Sequence, residues 1–242
     1  LYIGASYFIA NRGWEGIGRT AWIFIPSIKI VMLGLLLLVQ EDFFIYNIFP
    51  LRGAGFGNII QSGLTYTSVI GEFLFFGVMY QYTRNYKSYK IANFMGFGLS
   101  VIEMGIFLIA YIAVFDYPSV EAISYPFQIM IRIAELGRFF TNMEAFFLVY
   151  WLVASILCFS VYLYLTSAVF GNTLHIKEVE PLILPFAIFT LLLGVMPGND
   201  IEVVLKYRDT FLLRNSWVIC VFLPITLWII AKLKGDFNNE TH

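Results

Sequence analysis

An all-α integral membrane fold, a bundle of apolar helices, is what this sequence predicts, and three observations carry the prediction. Hydrophobic residues make up 60% of the 242 residues and charged residues 13%, against roughly 45–50% and about 25% in soluble domains. The apolar excess is gathered into blocks long enough to cross a bilayer. Lipid offers unpaired backbone groups no partner, so each block is helical by default. The third observation is the pair Gly71-Glu72 inside one such block. In Ser62–Tyr82 (SGLTYTSVIGEFLFFGVMYQY) Glu72 is the one formal charge, ten residues from either end, or roughly 15 Å at helical rise.

The elements follow in order. Leu1–Ala10 is half a span, ended by Asn11-Arg12. With no initiator methionine and no signal peptide in view, the expectation is the C-terminal portion of a larger chain. Six fuller spans come next: Ala21–Val39, Ser62–Tyr82, Ile91–Phe115, Ala145–Ala168, Pro181–Met196 and Trp217–Leu233. Placing the loop Asn11–Thr20 in the cytoplasm puts Arg12, Arg19, Arg84, Lys87, Lys90, Lys177, Lys232 and Lys234 inside. It leaves Arg52, Arg132, Arg138, Lys206, Arg208 and Arg214 outside, on longer loops, so the positive-inside rule favours this orientation and a cytoplasmic C-terminus.

Two outside loops carry signals of their own. After Tyr125, the residues Phe127, Met130, Ile131 and Ala134 share one helical face, with Pro126 to open the helix and Gly137 to close it. Arg132, Glu135 and Arg138 lie elsewhere on its surface, which predicts an amphipathic helix at the interface. The loop Glu41–Gln61 holds Gly53, Gly55 and Gly57. No Lys-Ser/Thr follows them, so they read as a flexible loop and not a phosphate cradle.

Several function classes fall away. A net charge of −1 excludes a nucleic-acid binder working through bulk positive charge. Cys158 and Cys220 lie inside apolar spans and read as packing residues, not as a disulfide framework. No metal-ligand spacing, nucleophile elbow or cofactor motif is present, and the buried acids Glu72 and Glu103 have no nucleophile beside them. The sequence points away from an enzyme.

Three charges remain inside spans: Lys29, Glu72 and Glu103. Each is costly in hydrocarbon and needs a cavity, an ion or a partner. Lys29 reads either as a snorkelling or paired lysine or as a group in proton or ion coupling. Glu103, near Gly96, Gly98 and Gly105, reads as a structural partner on a tightly packed small-residue face or as a coupling group. Around Glu72 lie Gly71 and the hydroxyls of Thr65, Tyr66, Thr67 and Ser68, with Gly77 beyond. That pattern predicts a broken helix lining a ligand or gating site, with Gly71, Glu72, Thr67, Ser68 and Tyr66 as its residues.

The order of motifs resembles the spore germination permeases, the B subunits of nutrient germinant receptors. It runs from Gly13-Trp-Glu-Gly-Ile-Gly-Arg19 through Ile48-Phe-Pro-Leu-Arg52 and Gly55-Phe-Gly57 to the Gly71-Glu72 helix. It continues with Tyr125-Pro126, Arg132, Gly137-Arg-Phe-Phe140, Met143-Glu144-Ala145 and Trp151, then Met196-Pro197-Gly-Asn199 and Leu223-Pro224. One departure is Asn142, where the family commonly carries an arginine two residues before the glutamate matching Glu144; Arg138 is the substitute partner one turn away.

The resemblance implies the inverted-repeat (LeuT-like) fold of the amino-acid permease superfamily, with about six and a half of its ten helices here. Residues 1–60 would end the first repeat, and 61–242 would form the second repeat and a short tail. It also implies a ligand held between helices one and six, of which this stretch has only the sixth. The function it implies is nutrient sensing, most often of an amino acid, in the spore inner membrane, with receptor A and C subunits as partners and no cofactor. Two rivals stand beside it: a proton-coupled amino-acid transporter, and a structural subunit with a vestigial cavity.

Overall fold

The computed structural model describes residues 1–49, 53, 55–134, 143–196, 205, 210 and 214–234, and every element among them is a helix. In chain order these are α1 (Tyr2–Ala10), α2 (Gly13–Leu38), α3 (Phe56–Thr65), α4 (Phe75–Met79), α5 (Tyr86–Phe115), α6 (Tyr117–Ala122), α7 (Pro126–Ile133), α8 (Met143–Thr173), α9 (Glu180–Val195), α10 (Arg214–Trp217) and α11 (Leu223–Lys234). A 3-10 segment, Thr67–Leu74, lies between α3 and α4, and a π segment, Val218–Phe222, between α10 and α11. Among the described residues four stretches are long and apolar enough to cross a membrane: Gly13–Leu38, Tyr86–Phe115, Glu144–Thr173 and Asn215–Lys234. The chain divides into two compact units, Leu1–Leu51 with Gln81–Leu193, and Arg52–Tyr80 with Gly194–His242.

In the first unit α1 packs on α8 and α2. Small residues permit the approach, as small faces do between membrane helices: Ser6 and Ala10 of α1 and Ser160, Ser167 and Ala168 of α8 are all buried. Ser6 Oγ lies 3.2 Å from the Ile156 carbonyl of α8, so its polarity is met across the helix pair. Helix α2 starts at Gly13, eight residues before the predicted span. Gly13 takes φ 75, a turn that favours glycine, and Glu15 and Arg19 pair one turn apart at 2.6 Å, which supports a helical lead-in.

Helix α5 opens on Asn85, whose side chain accepts the Ser88 N–H at 2.8 Å, an N-cap that fixes its start ahead of the predicted Ile91. At its far end the Ala113 carbonyl accepts from Phe44 N at 3.0 Å and from Asn47 Nδ2 at 3.1 Å. The segment that follows α2 is thereby hooked onto α5. Here Leu35, Val39, Met130, Ile131, Ala134 and Phe147 form one buried cluster, with Phe107, Tyr111 and Phe127 packed against it.

Helix α7 has Pro126 at its first turn and buries Met130 and Ile131, with Phe127 packed on the same cluster, the face predicted for it. It ends sooner than predicted. Ala134 is already extended at ψ 100, and Glu135, Gly137, Arg138, Phe140 and Asn142 lie outside the described residues, as do Arg52, Pro197 and Asn199.

In the second unit α10 packs on α3 and on the 3-10 segment, and the π segment packs on the 3-10 segment as well. Gly55, at φ 97, turns the chain into α3. At the basic end of α11, Lys232 sits 5.3 Å over the Trp228 ring, a cation–π contact that suits the interface.

Candidate functional site

The predicted span Ser62–Tyr82 is not one helix. The α-helix stops at Thr65, Tyr66 leaves helical geometry at φ −98 and ψ 28, and Thr67–Leu74 continues as a 3-10 helix of eight residues. Such a run is long for 3-10 geometry and marks a hinge or a sequence under strain. Gly71 and Glu72 both fall within it. The break comes five residues ahead of Gly71, where the side chain of Thr67 reaches back over the end of α3. Thr67 Oγ1 lies 2.5 Å from the Leu64 carbonyl and 3.3 Å from that of Gly63, so its hydroxyl serves carbonyls that lose their helical partners. Thr65 bonds back to its own helix, with Oγ1 2.9 Å from the Gln61 carbonyl.

Glu72 is exposed and Gly71 half-buried, so the second unit by itself does not enclose the carboxylate. Tyr66 is half exposed, at 52%. Ser68 belongs to the 3-10 backbone, and its side chain lies outside the described residues. Gly71 has a spatial reason to be glycine: an added Cβ would stand 3.1 Å from Cys220 Sγ of the π segment. Two non-α stretches thus meet at a glycine and a thiol, a contact the sequence did not signal. Neither cysteine forms a disulfide among the described residues. Gly71→Ala is expected to destabilise the protein by about 1–3 kcal/mol through overpacking. Cys220→Ala added to it should recover most of that loss in a thermal unfolding series; a double variant less stable than Gly71→Ala would contradict this packing.

The two other charges inside spans find each other. In the first unit Lys29 of α2 donates to Glu103 of α5, an ion pair between residues far apart in sequence. Lys29 is sixteen residues into α2, counted from Gly13, and it pairs with Glu103 within the span. Along their helices Lys29 lies nearly two turns from Leu35 and Glu103 about one turn from Phe107, both residues of the cluster region. The small-residue face is otherwise than predicted. An added Cβ at Gly96, Gly98 or Gly105 meets nothing within 4 Å among the described residues, so α5 is held here by its charge and its cluster residues, not by close backbone packing.

Among the described residues a third pair joins Glu144 of α8 to Arg132 of α7, at 2.7 Å from Nε to Oε1. It links the amphipathic helix to the start of α8, and the expected partner Arg138 lies outside the described residues.

A family model described as spore germination protein matches residues 1–200. The likeness at Leu223-Pro224 lies beyond that match. No curated protein and no solved structure matches the chain.

Proposed function

The chain belongs to the spore germination protein family, and from that premise we propose that it is a membrane subunit that senses a small nutrient, an amino acid by class, to trigger germination. Membership and the apolar helices make it a germination-related membrane protein with a transport or receptor role. The sensing role rests chiefly on one observation, the 3-10 segment Thr67–Leu74 that carries Gly71 and Glu72 through an apolar run. In this reading the carboxylate of Glu72 meets the nutrient's ammonium or carries the gating proton, Gly71 and Tyr66 shape the site, and Ser68 adds a hydrogen bond. Thr67 keeps the end of α3 in place. The Lys29–Glu103 pair is a coupling element between α2 and α5.

The segment offers a way to turn binding into movement. Eight residues span about 16 Å at a 3-10 rise of about 2.0 Å, and about 12 Å at the α-helical rise of about 1.5 Å. A nutrient that favours one form over the other shifts α4 by about 4 Å along the axis, and only its differential affinity for the two forms can drive the shift. The inverted-repeat permease fold, a spore inner-membrane location with the C-terminus in the cytoplasm, and A and C subunits that read the movement complete the proposal.

A charged pair inside the span of α2 and α5 favours a second reading, a proton-coupled amino-acid transporter. The full-length protein with its A and C partners, in proteoliposomes under a proton gradient and given a radiolabelled mixture of the common amino acids, separates the two. Saturable binding without accumulation is the result expected of a sensor, and accumulation that collapses with the gradient would make it a transporter.

A further inference from the structure

We propose that the first unit carries a second pocket, for the ammonium group of an amphipathic amine, where α5 ends and α8 begins. The proposal is independent of the Glu72 reading. A cavity of about 780 Å³ opens there, within the roughly 300–1,000 Å³ of small-molecule sites. Its base is apolar: Ile131 and Phe147 are 6% and 2% exposed and belong to the buried cluster. Its rim is aromatic, with Tyr125 and Trp151 about half exposed, at 51% and 54%, and Tyr111 and Phe127 add two more rings to the lining.

Glu144 is the one formal charge among the described residues that line the cavity. Arg132 holds Oε1 of that carboxylate at 2.7 Å but is not among the lining residues. Among the described residues the lining therefore presents a carboxylate and aromatic rings, and no cation. That combination attracts an ammonium group, while Ile131 and Leu148 take an apolar body. Arg132 anchors Glu144 and also competes with the incoming cation for it. Two sources supply an ammonium on an apolar body at the level of helix ends, a free amine and an ethanolamine lipid headgroup.

The test uses full-length protein in phosphatidylglycerol nanodiscs and tritiated 2-phenylethylamine as the probe. Saturable binding is expected, weakened tenfold or more by Glu144→Gln and by Trp151→Leu. Arg132→Gln is expected to keep or tighten it, because the carboxylate loses its competitor. The uncharged analogue 2-phenylethanol should compete at least tenfold less well than unlabelled amine. No saturable binding, equal competition by the alcohol, or equal weakening by Glu144→Gln and Arg132→Gln overturns the proposal, the last because it would reveal a merely structural pair. If Glu144→Gln fails to fold, Trp151→Leu and the alcohol decide alone. With binding established, competition from added phosphatidylethanolamine assigns the pocket to the lipid headgroup, and its absence assigns it to a free amine.

Discussion

Glu103→Leu is expected to lower the stability of the folded protein by about 2–4 kcal/mol, and Lys29→Leu by a similar amount. Lys29 lies nine residues before the end of α2, and Glu103 twelve before the end of α5. At helical rise these are about 14 Å and about 18 Å, close to the middle of a hydrocarbon core about 30 Å thick. Either charge left alone there loses its compensating partner. The side chains are 42% and 28% exposed, which is why the range sits below that of a fully enclosed pair. Removing both charges together, Lys29→Leu with Glu103→Leu, should restore most of the stability, since an apolar pair has no desolvation to overcome. A double-mutant cycle by thermal unfolding in nanodiscs reads this directly, and a coupling of about 2 kcal/mol or more is expected. Additive losses would show that the two residues act separately. The double variant also tests the coupling role: a folded protein whose spores no longer respond to nutrient places the pair in the signal, and a normal response leaves it structural.

The apolar blocks made most spans legible, because lipid enforces both helicity and length. Their ends were less legible. Gly13–Arg19 looks like a loop, with three glycines and two charges, yet Glu15 and Arg19 pair along a helix once Gly13 has turned the chain. The unusual character of the Gly71-Glu72 segment was readable from a charge beside a glycine in an apolar run. The position of the break was not, since it depends on Thr67 turning its hydroxyl back onto α3. The need of Lys29 and Glu103 for partners was readable from the cost of burying charge. That they partner each other was not, because no local spacing links residues on helices joined by long connections. The glycines of α5 meet no close neighbour among the described residues: a small-residue stripe permits close packing but does not supply the neighbour. Arg132 was already marked as a polar residue on an amphipathic helix, and only the placement of α7 beside α8 brought it to Glu144.

Glu72→Gln is the second change of large expected effect. It keeps the size of the side chain and removes its charge and its capacity to carry a proton. A charge-assisted hydrogen bond to a ligand contributes about 1.5–3 kcal/mol, so its loss should raise the nutrient concentration needed for half-maximal response by roughly 10- to 150-fold. Glu72 is exposed on its unit and glutamine keeps its size, so the variant is expected to assemble. The deciding measurement is nutrient-triggered germination of spores carrying the full-length gene, wild type against Glu72→Gln, at equal abundance in the spore membrane and with A and C subunits assembled. The expected result is a response lost or shifted to far higher nutrient concentration. An unchanged dose–response curve would contradict the sensing role of Glu72 and leave it a helix-packing carboxylate.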